Sequence, residues 1–591
     1  MAARTRIEEL QGLMRTLRLD AWLVTSTDPH QSEYPAACWK ARAWLSGFSG
    51  SAGTLVVTQA KAGLWVDPRY HLRAEKELAG SGIVPFKVGL PGVPSYPQWL
   101  AHALSHGAVV GFDGRQLSLA EVRRLGEALQ DLSVTFSSDH DPVGMLWKDR
   151  PALPRAPIFL LDLAFAGQPR PSKLAQIREK MVQQRCQAHL ISALDEIAWT
   201  LNLRGRDVEY NPVAISYLLI TGQQAHLFIR PEKVPPDARA ALTFDGVLVS
   251  EYEAIDSFLR RLPPETTLLF DPEKTSYTLA QIIAQTCQSK AAASIPAALK
   301  AVKNATELAG IRKAHVRDGV ALVKWLYWLD QQPASAVHTE ITLAERLAEL
   351  RSLGENYQGL SFGSIVGFRA NSAVGHYRPR PETTPQIEPE GILLVDSGAQ
   401  YLDGTTDLTR TISLGSPSVA EKRACTWVLK SHIALAQTKF PAGTRGSQLD
   451  ALARAPLWGQ GWDCRHGIGH GIGHFLNVHE GPPRFRQDNQ VPILPGMVLS
   501  NEPGVYFEGR FGIRIENVLI TVPAETTEFG EFYRFETVSL CPIDLDLVEA
   551  SLLTIEEKDW LNAYHQGVYE TLAPFLAPTE QAWLGQETHT I

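Results

Sequence analysis

Long apolar runs are missing from this chain. Nowhere do about 18 consecutive apolar residues occur, the length a helix needs to cross a bilayer, so no membrane-spanning helix is expected. Clustered basic charge is missing too: the net charge is -8, the pI is near 6.1, and no Lys/Arg-rich run stands out. Nucleic acid is therefore not expected as a partner. Cysteine is sparse, with six in 591 residues, at positions 38, 186, 287, 425, 464 and 541. They lie far apart and form no CxxC pair, which excludes a disulfide scaffold and suits reduced packing residues. The first 20 residues carry Arg4, Arg6, Glu8, Glu9, Arg15 and Arg18 at intervals that interrupt any signal-peptide apolar region, so a cytoplasmic protein is expected.

What is present is ordinary globular material, 44% hydrophobic and 20% charged. A chain this long exceeds one core, and several domains are expected. Short strands at Ala21–Val24, 55–57 and 64–66, with a helix over 118–129, indicate an α/β domain over residues 1–155. A similar pattern restarts at Ala188-His189-Leu190-Ile191, where Asp195 follows at the offset that Asp28 keeps from Ala21. This weak internal repeat predicts a second, related α/β domain over 156–303, with the Pro-rich stretch 151–171 as the boundary. From Asn304 the pattern changes. Asn304 and Glu307 make a capping pair, and Val316, Val320, Val323 and Tyr327 recur at helical spacing. Further helices are expected over 339–350, 419–439 and 447–457. Strands are expected over 391–398, 405–414, 498–501 and 512–522, giving an α+β domain over 304–545 and a helical extension over 546–591.

This third domain holds an unusual set of acids. Asp396 (Leu394-Val395-Asp396-Ser397-Gly398) and Asp407 (Thr406-Asp407-Leu408-Thr409-Arg410-Thr411) sit in apolar or β-branched strand sequence, where a carboxylate is costly unless paired or metal-bound. A chain reversal near Tyr401 and Leu402 places them opposite one another on a hairpin, with a bulge to absorb the later Asp403-Gly404 turn signal. Four of the 17 histidines, His466, His470, His474 and His479, fall within one Gly-rich segment that matches neither a zinc HExxH helix nor a nucleotide-binding glycine loop. Glu502 ends an apolar strand before Pro503-Gly504, and Arg514 and Glu516 alternate onto one strand face. Each residue alone is more often a cap, a turn or a solvated face. Together, four carboxylates and one imidazole suit two hard divalent cations, Mn²⁺ first, with Co²⁺ or Zn²⁺ also admissible.

At these residues the sequence resembles the M24 metallopeptidases of pita-bread fold, and among them the three-domain aminopeptidase P type. The resemblance extends to Asp28-Pro29-His30-Gln31-Ser32-Glu33-Tyr34, Gly50-Ser51-Ala52-Gly53-Thr54, Asn202-Leu203-Arg204-Gly205 and Trp560-Leu561-Asn562. It implies two related α/β domains followed by a pita-bread catalytic domain, and hydrolysis of an N-terminal Xaa-Pro bond by a water that two metals activate. It further implies that Asp396 chelates one metal, that His470 and Glu502 bind the other, and that Asp407 and Glu516 bridge both. Glu502 would also be the general base, His376 and His479 would hold the substrate carbonyl, and Arg514 and Tyr506 would orient the site. Peptides with proline second are the implied substrates, and a homodimer the implied assembly. His474 stands where many relatives carry a small residue, and Asn501 where Asp is common. The rival implied by the same ligand set is prolidase, a dipeptidase usually of two domains. A catalytically inactive peptide-binding module is the alternative from another class.

Overall fold

The computed structural model describes residues 2–333, 335–375 and 377–591. The chain divides into one unit of Met1–Leu160 with Pro169–Pro296, and a second of Leu161–Gln168 with Ala297–Ile591. No helix among the described residues is long and apolar enough to cross a membrane.

The first unit is built twice from one plan. Strands β1 (Ala21–Val24), β2 (Thr54–Thr58), β3 (Ala62–Val66), β4 (Ile83–Lys87), β5 (Val109–Phe112) and β6 (Thr135–Ser137) form a sheet in the order β4-β3-β2-β1-β5-β6. Strands β7 (Ala188–Ile191), β8 (Tyr217–Thr221), β9 (Ala225–Phe228), β10 (Val247–Ser250), β11 (Thr267–Phe270) and β12 (Gln288–Ala291) repeat that order as β10-β9-β8-β7-β11-β12. The sense of pairing matches as well. In both sheets the first strand is antiparallel to the second and parallel to the fifth. The central strands β1 and β7 are buried at every position, which is why, His189 apart, they read as apolar runs rather than as alternation. The internal repeat expected from two short strings is thus a repeat of whole topology.

The two sheets meet through equivalent residues. Ser118 and Ser276 cap the helices Leu119–Ala128 and Tyr277–Thr286, each accepting a bond from the backbone three residues on. Leu119 N donates to Thr275 O (3.0 Å) and Tyr277 N to Leu117 O (2.8 Å). Ala120 N donates to Pro272 O (3.0 Å) and Thr278 N to Gly114 O (2.9 Å). Each bond has its twin, so the contact carries a local two-fold relation. His30, from the Asp28–Tyr34 motif, pins the halves further: its Nδ1 is 2.9 Å from Ser192 O and its Nε2 2.9 Å from Tyr252 Oη.

The second unit contains two helix pairs, each laid on an antiparallel sheet. Asn304 and Glu307 form the expected capping box at the head of the helix Ala305–Asp330. This helix and Glu340–Ser352 cover a sheet of Ile365–Phe368, Ile392–Ser397 and Leu408–Ser413 through Leu322, Trp325, Leu343, Leu347, Val366 and Leu393. The helices Val419–Ala436 and Gly446–Trp458 cover a six-stranded sheet, in which Val498–Asn501 lies between Asn517–Thr527 and Gly469–Gly471, through Val428, Leu429, Leu449, Leu499 and Leu519. The first of these helices stops three residues short of the expected Lys439, which instead opens the edge strand Lys439–Pro441. The helix Ile555–Leu572, capped by Thr554, packs Leu561 into the same core.

Candidate metal centre

Asp396 and Asp407 come from the Ile392–Ser397 and Leu408–Ser413 ribbon, but not as directly opposed residues. Ser397 pairs with Leu408 and Asp396 with Thr409, and nearer the turn Gln400 pairs with Thr405 and Tyr401 with Gly404. The register is constant, so the reversal is at Leu402-Asp403, one residue later than the expected Tyr401-Leu402 and one earlier than an Asp403-Gly404 turn would place it, and the expected bulge is absent. Asp407 therefore stands diagonally across from Asp396, a distance that suits a cation between them better than direct opposition does. Gly398 lets the strands close: a Cβ there would lie 2.0 Å from Thr406 O and 2.3 Å from Ser361 Oγ.

The other three groups come from the six-stranded sheet and its neighbour. His470 is the middle residue of the strand Gly469–Gly471, not of a loop, and a Cβ on Gly469 would meet Ser500 O at 2.0 Å, so the glycine is what lets this strand approach Val498–Asn501. Glu502 follows that strand. The expected strand over 512–522 is two strands, Phe511–Arg514 and Asn517–Thr527, in different sheets. Glu516 lies at the break, where its N–H donates to Thr409 O (3.1 Å) across the centre. Ligand atoms of Asp407, His470 and Glu516 all fall within 4.8 Å of one another. His470 Nε2 is 3.4 Å from Asp407 Oδ2 and 3.5 Å from Glu502 Oε1. His474 is buried but is not among these groups. His479 stands edge-on to His470 with ring centroids 4.3 Å apart. Arg514 joins the rim: Nη2 donates to Asp396 Oδ2 (2.5 Å), Nη1 to Tyr506 Oη (2.7 Å) and Nε to Thr409 Oγ1 (3.1 Å). His376 lies outside the described residues.

The electrostatics favour cations here. Burial pushes Asp396 up to about 6 against the pull of Arg514, with Asp407 and Glu502 adding to the rise. Burial and the charges of Asp407, Glu502 and Asp396 raise Glu516 well above the carboxylate range. Burial disfavours a charged His470, yet its bond to Asp407 and the charge of Glu502 hold it up at about 9. Acids raised in this way by burial and mutual repulsion are a set that divalent cations would stabilise. Asp396 Oδ1, buried with no hydrogen-bond partner among the described residues, supplies a further lone pair for a metal. An oxygen-rich, thiolate-free donor set fits two hard or borderline divalent ions.

Two residues of the centre, Thr409 and Ser500, carry no isolated sequence signal, and His466 is marked in the sequence only as a member of the histidine-rich segment. Thr409 donates to Glu516 Oε2 (2.7 Å) while accepting from Arg514, and it shares its strand face with Asp407 at a spacing of two, the one clue available. Ser500 Oγ accepts from His470 N (3.0 Å), two residues before Glu502. His466 Nε2 is 2.8 Å from Tyr506 Oη.

A largely buried constellation of four carboxylates and an imidazole, with His470 and Glu502 partly exposed, between two helix-backed sheets is that of a dinuclear metallohydrolase. Comparison with known proteins gives the particular family. Residues 309–522 match metallopeptidase family M24 and 531–591 the C-terminal region of that peptidase, while 6–141 and 149–307 each match a creatinase/prolidase N-terminal domain. The chain is 41% identical to a probable Xaa-Pro aminopeptidase P of Verticillium alfalfae, over 99% of both chains, and 40% identical to aminopeptidase P2 of Arabidopsis thaliana, over 97% of this chain and 86% of the other. It superposes on the X-prolyl aminopeptidase of Caenorhabditis elegans, described as a cytosolic enzyme with a di-nuclear active site, with a TM-score of 0.95 and 35% identity over the whole of both chains. A prolidase of Pyrococcus horikoshii, 23% identical, shares the fold over 63% of this chain with a TM-score of 0.50. The chain belongs to the M24 metallopeptidases and, within them, to the Xaa-Pro aminopeptidase P family.

Proposed function

We propose that the chain hydrolyses the peptide bond between an N-terminal residue and a proline in second position, releasing one amino acid. The observation that carries this is the gathering of Asp396, Asp407, His470, Glu502 and Glu516 at one buried point in a chain that matches aminopeptidase P relatives from end to end. Asp396 is assigned to one metal, His470 and Glu502 to the other, and Asp407 and Glu516 to both. Two divalent cations held there would supply Lewis-acid polarisation of the scissile carbonyl and would lower the pKa of a bound water. Manganese is the metal we assign, since oxygen donors dominate.

The side chains then divide the work. Glu502, held below the usual carboxylate range because the charges of His470, His466 and Arg514 outweigh its burial, is ionised and able to accept the proton of the attacking water. His479 donates to the carbonyl oxygen as negative charge develops there, and His376 is assigned the same duty from the sequence resemblance. Arg514 fixes Asp396 and Tyr506 together. The enzyme is assigned to the cytosol by its likeness to the cytosolic enzyme of Caenorhabditis elegans, and to a homodimer from the sequence resemblance alone.

Substrate length separates this activity from that of a prolidase, which cleaves dipeptides. Arg-Pro-Pro should be cut at the Arg-Pro bond with a higher kcat/KM than Arg-Pro, and Arg-Ala-Pro should be a poor substrate. A clear preference for Arg-Pro would make the enzyme a dipeptidase. Equal cleavage of Arg-Ala-Pro would remove proline from the specificity.

A further inference from the structure

Lys300, Lys303 and Glu480 form a cluster of three charges that the assignments above do not use. All are buried, with 2%, 5% and 2% of their surface exposed. Lys300 Nζ is 3.0 Å from Glu480 Oε2, and Lys303 Nζ donates to Glu480 Oε1. Burial lowers the Lys303 ammonium while Glu480 works to keep it charged. Such a triad is a poor source of stability, because desolvating the ions rivals their attraction and apolar side chains of equal volume often serve as well. What the ions contribute is a fixed geometry.

That geometry bears on the centre from two sides. Glu480 is the residue after His479 and opens the strand Glu480–Phe485, which pairs with Gly469–Gly471 and so with His470. The lysine segment also docks on the strand that leads to Glu502: Val302 bridges Met497, and Lys303 N donates to Gly496 O (2.9 Å), immediately before Val498–Asn501. One short segment at the entry to the catalytic unit thus anchors both the chain bearing His479 and the chain bearing Glu502.

We propose that Lys300 and Lys303 are positioning residues which, through Glu480, fix the backbone at His479 so that its imidazole meets the reacting carbonyl. The inference rests on the role given to His479 above, and a double-mutant cycle separates the two. In the metal-loaded enzyme acting on Arg-Pro-Pro, Glu480→Gln and Lys303→Met should each lower kcat by about tenfold or more, with KM and metal content within about twofold of the parent. Lys300→Met, which leaves a neutral Lys303–Glu480 pair, keeps a folded variant available and should lower kcat in the same direction. In a His479→Ala background the same substitutions should change kcat by less than about twofold, because the group they position is gone. Full multiplication of the losses in that background, or loss of metal with the loss of kcat, would overturn the positioning role. A His479→Ala enzyme with parental kcat would instead overturn the assignment of His479 itself.

Discussion

Arg514 spends the two ends of one planar guanidinium on Asp396 and Tyr506 and its Nε on Thr409. An ammonium cannot span three partners in that fork, so Arg514→Lys keeps the charge and loses the geometry. We expect kcat/KM to fall by about 10- to 100-fold, the range for losing a charge-assisted bond, with Arg-Pro-Pro kinetics as the check. The two neighbouring histidines should respond differently from one another. His470 contacts Asp407 and Glu502, so His470→Ala should lower bound metal as well as rate. His479→Ala should retain metal near the parent level while kcat falls by about 10² to 10³, as for one preorganised donor. Elemental analysis of both proteins decides this, and the reverse pattern of metal content would exchange their roles. At this scale the acids were legible because a carboxylate inside apolar strand sequence is conspicuous. Thr409 and Ser500 were not, because a hydroxyl is unremarkable until the strand opposite is known, and His466 stood out only as one of four histidines in a glycine-rich segment.

Among the elements, the Asp396–Asp407 ribbon sets the spacing of the centre. Gly398→Ala forces a methyl against the Thr406 carbonyl, which is backbone and cannot swing aside. The variant should lose about 1–3 kcal/mol by overpacking and should hold less metal, measured by thermal melting and elemental analysis. A parental Tm and full metal content would show that the ribbon can widen freely. Neither turn chemistry nor symmetry gave the register: the loop is Leu402-Asp403 with Gly404 already paired to Tyr401, whereas an Asp403-Gly404 turn would pair Leu402 with Thr405 and the symmetric placement would oppose the two aspartates. The split of the strand at Glu516 was hidden because alternation runs unbroken from Ile513 to Glu516, up to the point where the chain changes sheets. In the first unit, strand β7 supplies a pH-sensitive element. Burial depresses His189 from 6.5 to about 4, with Nδ1 3.0 Å from Leu269 O and Nε2 accepting from Ile295 N (3.3 Å). Between those two values the unfolded chain binds a proton that the folded chain refuses. Stability is therefore complete above about pH 6.5 and drains away as pH falls toward 4, by about 3 kcal/mol in all. His189→Gln should shrink the difference in Tm between pH 7.5 and pH 5, and an unchanged difference would show that other groups carry the acid sensitivity.

For the whole molecule, the metal centre and the repeated N-terminal unit pose separate questions of stability. Cations that bind only the folded centre add about 2.7 kcal/mol at a hundredfold excess over Kd, so titrating Mn²⁺ into chelated protein should raise Tm by several degrees and restore hydrolysis of Arg-Pro-Pro together. Activity in rigorously metal-free protein would exclude the assigned chemistry. Length and composition called for several domains, and two short strings hinted that two of them were related, yet sheet order and sense of pairing became visible only in three dimensions. The twinned bonds at Ser118 and Ser276 give that relation a physical meaning. They describe an isologous dimer whose two subunits share one polypeptide. A dimer of separate chains dissociates when diluted, but here the partner is tethered and its effective concentration is set by the connecting chain, so the pairing persists however dilute the protein becomes.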